Sequence, residues 1–230
     1  MKQLFISIFF LMNFVCCFAQ EINDKEIDSL YKEDQFYAGV TYNLLGKMPK
    51  DVSQSGFSLG FHLGFIKDMP INKNRNIAIG LGLGYSANSF NQNLLINKDN
   101  TGSTIYSVLK DSNTFTKNKF SSHLIELPIE FRWRTSTATD YNFWRIYMGF
   151  KLGYVFAHTT KYRGDLGKLR FSNIEDFNNF QYGITLSAGY NTWNIFLYYA
   201  LNPIFSGDAS LDGNKIDMNA VKIGLMFYIL

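Results

Sequence analysis

Cysteine is nearly missing from this chain: Cys16 and Cys17 sit together in the N-terminal apolar stretch, and none follows. Once that stretch is removed, no disulfide, thiolate metal site or cysteine nucleophile can be built. Histidine is scarce too. His62, His123 and His158 are the full set, and no two have metal-ligand spacing. Charged residues make up only 18%, and the net charge of +3 comes with no basic run along the sequence. That gives no footprint for nucleic acid. A mean hydropathy of -0.08 excludes a bundle of membrane helices. The nearest candidate, 177–207, is uncharged, but Gln181, Thr185, Ser187, Asn191 and Asn194 interrupt it and its apolar residues alternate. It reads as two strands.

What the chain has instead is aromatic residues, 17% of the total, together with 18 glycines. Both concentrate in alternating runs, most clearly in 57–85. Phe57, Leu59, Phe61, Leu63 and Phe65 take every second position, separated by Ser58, Gly60, His62 and Gly64. Ile77, Ile79, Leu81, Leu83 and Tyr85 then alternate with Ala78, Gly80, Gly82 and Gly84. Period two places bulky side chains on one strand face and small ones on the other. A soluble sandwich or lipocalin-like barrel would put Lys, Glu and Thr on its water face. Glycine there instead fits a membrane barrel, with large residues toward lipid and small ones toward a narrow lumen.

The same rhythm predicts eight strands, at about 36–45, 56–66, 77–86, 119–134, 142–157, 177–190, 193–200 and 219–230. The intervening links alternate between long and short after the first pair. Long outer loops and short periplasmic turns, with both termini in the periplasm, account for this. The longest link, 87–118, reads as irregular and functional or mobile. The link 158–176 is basic first and then acidic. Pro128 inside the fourth strand donates no hydrogen bond, which implies a bulge or a broken ladder. The fold class is therefore an all-β, eight-stranded antiparallel up-and-down transmembrane barrel.

The chemical feature is the inward face of the 119–134 and 142–157 hairpin. Glu126, Glu130, Arg132, Arg134, Arg145 and Lys151 would each cost several kcal/mol in lipid, so they must face the lumen and pair. A turn centred near residue 138 sets Glu126 beside Lys151 and Glu130 diagonal to Arg145. Lys222 can join them. The simplest reading is a lumen charge network that fills and holds the barrel. A gated ion path is the competing one, but eight strands enclose little more than side chains. Bases beside both carboxylates favour ion pairing over acid–base catalysis. Ser122 and His123 point to opposite faces, and no helix follows the GLGLG run, so neither makes a catalytic or nucleotide motif. The expectation is no enzyme, no catalytic residue, no cofactor and no metal.

The N-terminus, with Lys2, an apolar core at 4–15 and Cys17-Phe18-Ala19, reads as a signal peptide spanning 1–19. A retained anchor or a lipoprotein is the alternative; the apolar run is short for a span, and the usual small residue before either cysteine is missing. Residues 20–35 are polar and mainly acidic, read as a flexible periplasmic lead-in. The barrel domain occupies 36–230.

Two segments, GFSLGFHLGFIKDMPINKNRNIAIGLGLGYS (56–86) and HLIELPIEFRWRTSTATDYNFWRIYMGFKLGYVF (123–156), resemble the PorT family of outer-membrane barrels from Bacteroidetes. The resemblance implies an outer-membrane protein required for export by the type IX secretion system, and for gliding motility where present. It implies other type IX components, outer-membrane lipids and the barrel insertion machinery as partners. It brings no catalytic residues to carry over. The chain departs from many such barrels in ending Phe227-Tyr228-Ile229-Leu230, so recognition for insertion would rest on Phe227 or Tyr228. A structural or adhesive barrel is the alternative, and a barrel enzyme or small pore comes after it.

Overall fold

The computed structural model describes residues 32–110, 112–136 and 143–229. The signal peptide and most of the acidic lead-in lie outside the described residues. The strands are β1 (Gln35–Gly46), β2 (Leu59–Pro70), β3 (Ile77–Asn91), β4 (Leu94–Lys98), β5 (Thr104–Val108), β6 (Phe115–Arg134), β7 (Trp144–Gly164), β8 (Gly167–Ser172), β9 (Phe180–Tyr190), β10 (Trp193–Ala200), β11 (Ser210–Leu211), β12 (Asn214–Lys215) and β13 (Asn219–Ile229).

Eight of them close a barrel in the order β1-β2-β3-β6-β7-β9-β10-β13, each antiparallel to the next, with β13 paired back onto β1. Closure leaves no unpaired edge in the wall, as a lipid environment requires. The alternation in the sequence is realised directly. Leu83, Phe61 and Ile195 point outward and are more than half exposed, whereas His62, Ser86 and Asn194 on the same strands are buried. All three tryptophans, Trp133, Trp144 and Trp193, face outward near the short-turn end. Trp144 packs on Tyr190 at 5.4 Å and Trp193 on Phe227 at 4.8 Å, forming an aromatic interface belt. Phe227 is thus the lipid-facing aromatic of the last strand, while Tyr228 turns inward and is buried.

Small inward residues let the wall close tightly. A Cβ at Gly84 would collide with the Tyr37 hydroxyl, and one at Gly224 with the Val40 carbonyl. Because the obstacle at Gly224 is backbone, Gly224→Val should cost about 1–3 kcal/mol of stability by overpacking. A urea titration of the refolded barrel checks this, and an unchanged midpoint would contradict it.

Two expectations from the sequence are corrected, and one, the broken ladder at Pro128, is met. First, 87–118 is mostly ordered. Residues 87–91 extend β3, 115–118 begin β6, and β4 and β5 form a hairpin between them. Likewise β7 runs on to Gly164 and turns back as β8, so 158–176 is largely a second hairpin. Second, Pro128 breaks the ladder on one side only. The β3–β6 register stops at Leu81↔Ile129 and resumes at Gly84↔Glu126, while Pro128 stays opposite Lys151 on β7. The bulge lies elsewhere, between His123 and Leu124, where Phe156 is the extra residue on β7. Third, the chain is inside the barrel before residue 36, because Glu33 and Gln35 are already buried.

Beyond the membrane-facing wall, the outer hairpins form a head whose apolar core is continuous with the barrel interior. Phe120 meets Phe90, Phe177 and Phe205 at 4.9–5.7 Å, and Leu94, Ile174, Ile204, Ile216 and Met218 pack with them. Long loops read in sequence as polar linkers therefore behave as a small folded unit. Their scattered apolar residues become a core only when the four outer connections converge.

Candidate functional site

From the short-turn end outward, the lumen is filled in three tiers. The first is centred on Asp68. Its carboxylate accepts from Arg132 at 3.0 Å and from Arg134 twice, at 2.8 Å to each oxygen. Arg132 also donates to Glu130 at 3.1 Å, to the Gln35 side chain at 2.8 Å and to the Glu33 carbonyl at 3.2 Å. Its guanidinium lies 4.4 Å over the Tyr147 ring. Both arginines and Asp68 are fully buried, so the fork geometry satisfies charges that water no longer reaches.

The second tier is centred on Glu126. Lys151 donates to it at 2.9 Å and Ser86 at 2.7 Å, and His62 Nδ1 stands 3.8 Å away. Lys222 points into the same region with its ammonium 4.9 Å from the Tyr198 ring. The cavity between Asn88, Ser122, Glu126, Lys151, Gln181 and Lys222 measures about 20 Å3, room for about one water. The third tier is the aromatic core of the head, where His158 stacks on Phe177 at 4.3 Å. Beside it, Tyr106 donates to Asp176 at 2.9 Å; burial first, and that bond next, push its phenol above the ordinary value.

The six residues predicted for the lumen network all face inward and are buried. Their partners differ from the predicted set. Glu126 does meet Lys151, but diagonally, because the register sets Lys151 opposite Pro128 and Glu126 opposite Gly153. Glu130 does not reach Arg145. It bonds to Arg132, and Arg145 sits opposite Arg134, with its guanidinium 4.4 Å over the Phe143 ring. Sequence reasoning missed Asp68, the centre of the first tier, by assigning it to a polar link. The signal was present: 60, 62, 64, 66 and 68 continue one inward series. Gln35 likewise opens the inward series 35, 37, 39, 41 and 43 of β1, with Glu33 one step before it.

The histidines serve separate environments. His62 is in the lumen beside Thr41 at 3.1 Å. His123 faces outward, bonded to the Tyr85 hydroxyl at 2.7 Å. His158 belongs to β7 rather than to a loop and meets the Ile174 carbonyl at 2.9 Å. Ser122 lines the inner cavity, so it and His123 diverge as the alternation demands.

With all three tiers packed, purified barrel in a planar bilayer should carry no steady conductance. A sustained single-channel current from pure protein would contradict the filled lumen.

A closed antiparallel barrel with an apolar outer wall, an aromatic belt and a charged, packed interior is a transmembrane β-barrel protein. The chain belongs to the outer membrane protein beta-barrel domain family, whose model matches residues 18–206. No curated protein sequence matches it. Solved structures similar to it include Ail, the attachment invasion locus protein of Yersinia pestis, at 11% identity and a TM-score of 0.35, covering 87% of this chain and 100% of that one. The same protein in complex with the heparin analogue sucrose octasulfate matches at 11% identity and a TM-score of 0.34, over the same shares of the two chains.

Proposed function

We propose that this outer-membrane barrel is a non-enzymatic component required for protein export by the type IX secretion system, and for gliding motility where that occurs. The sequence resemblance to the PorT family carries the reading. Its two segments fall on β2–β3 and β6–β7, four consecutive strands of the barrel wall. A filled lumen supports it further, since such a barrel works through its surfaces rather than as a conduit. The head and the periplasmic rim are then where other export components dock.

The test is the culture-supernatant proteome of a clean deletion strain against its complemented parent. Cargo held back in the periplasm, with other outer-membrane barrels at normal levels, is the expected result. Unchanged export would refute the role and leave a structural or adhesive barrel.

A further inference from the structure

The β6–β7–β8 sheet rises past the membrane belt as one wall of the head, and its outward face is basic. Lys117 and Lys119 on β6, Lys161 and Arg163 on β7, and Lys168 and Arg170 on β8 all lie on it. The register places them side by side: Lys117↔Arg163, Lys119↔Lys161, Lys161↔Arg170 and Arg163↔Lys168. The opposite face carries Phe120, Tyr162, Leu169 and Phe171, which pack into the head. Among the described residues, none of the six cations has a carboxylate within ion-pair distance. Asp165, at the β7–β8 turn, is engaged by Tyr162, Asn113 and the Leu166 amide.

Like charges directly opposite on neighbouring strands are destabilising. Protection of an exposed edge against pairing explains cations on β8, the outermost strand. It does not explain Lys119 and Lys161, which are half-buried in the middle of the sheet. The bulge at Phe156 makes the patch possible. Before it, Tyr154 and Phe156 face outward on β7; after it the phase inverts, so Lys161 and Arg163 face outward instead.

The height of the patch identifies what it meets. Tyr85, His123 and Phe156 form an outward aromatic cluster at 6.1–6.3 Å, the outer end of the lipid-facing band. Lys119 lies four residues further along the same strand, about 13 Å. That is headgroup level, continuous with the lipid-facing wall. We propose that this face binds the phosphate groups of outer-leaflet glycolipid, the lipid A class, and fixes the barrel in an ordered shell of anionic lipid. Lipid capture by this face does not depend on any role in export.

The test uses full-length barrel reconstituted in phosphatidylcholine nanodiscs containing diphosphorylated lipid A, or the same lipid stripped of its phosphates. Native mass spectrometry of the extracted barrel reads the lipid retained. The barrel should keep the phosphorylated form and not the stripped form. Lys117→Gln, Lys161→Gln and Arg163→Gln together should weaken retention by roughly fivefold per charge removed. Added salt should weaken binding by the native face and weaken the triple variant, with half the charge, by less. Heat-modifiable migration reports folding, and if the triple variant does not fold, Lys168→Gln with Arg170→Gln on the peripheral strand makes the same comparison. Equal retention of the two lipids, unchanged retention by a folded variant, or capture of a soluble sulfated oligosaccharide without lipid A would each overturn the proposal.

Discussion

Asp68→Asn should remove a large part of the barrel's stability. The substitution keeps the shape of the side chain but removes the anion that faces two fully buried guanidinium groups. Glu130 remains for Arg132, at 3.1 Å, whereas Arg134 loses the charge behind both of its 2.8 Å contacts with the Asp68 carboxylate. Breaking a buried pair from one side typically costs about 3–5 kcal/mol, because the surviving cation loses its counter-charge where water does not reach it. Here one carboxylate serves two cations, so the upper end of that range applies. Against a total stability of about 5–15 kcal/mol, this should appear as a large drop in the urea midpoint or loss of the heat-modifiable form. Asp68→Asn combined with Arg134→Met should recover a substantial part, since one of the two cations is removed together with the carboxylate's charge. A midpoint for Asp68→Asn matching the native protein would mean that the cluster does not hold this end of the barrel.

Glu126→Gln should be the second largest loss. Glu126 is the only carboxylate in ion-pair contact with Lys151 among the described residues, and Lys222 faces the same region. Neutralising it leaves two buried ammonium groups in the middle of the lumen, at a cost again of about 3 kcal/mol or more. A double-mutant cycle with Lys151→Met separates the pair from general packing, and a coupling above about 1.5 kcal/mol is expected. The loss should persist at high salt, because buried pairs are screened far less than exposed ones. A neutral substitution on the outer basic face, such as Lys168→Gln, should change stability by no more than about 0.5 kcal/mol. A coupling near zero, or a loss that disappears in salt, would place Glu126 in contact with water and contradict the packed lumen.

The alternation of Phe, Leu and Ile with Gly determined the strands, their faces and the membrane solvent, because side chains on a strand must point to opposite sides. It also determined that Glu126, Glu130, Arg132, Arg134, Arg145 and Lys151 turn inward, since lipid cannot hold them. Asp68 was legible by the same series and was lost only where the strand end was misplaced by a few residues. Gln35 was legible in the same way, as the first member of the inward series 35, 37, 39, 41 and 43 of β1, and Glu33 lies one step before it.

Pairing was the part that the tertiary structure decided. A register shifted by two residues leaves every side chain on its own face of the wall, yet it exchanges which charge meets which. Glu126 therefore kept Lys151 as a diagonal neighbour while Glu130 and Arg145 separated. The head and its basic face are further removed from sequence. Lys117, Lys119, Lys161, Arg163, Lys168 and Arg170 form no run, and period two carried past Phe156 would turn Lys161 and Arg163 inward. Alternation fixes the direction of a side chain only while the phase is unbroken; one inserted residue reverses it, and only the folded barrel shows where that residue lies.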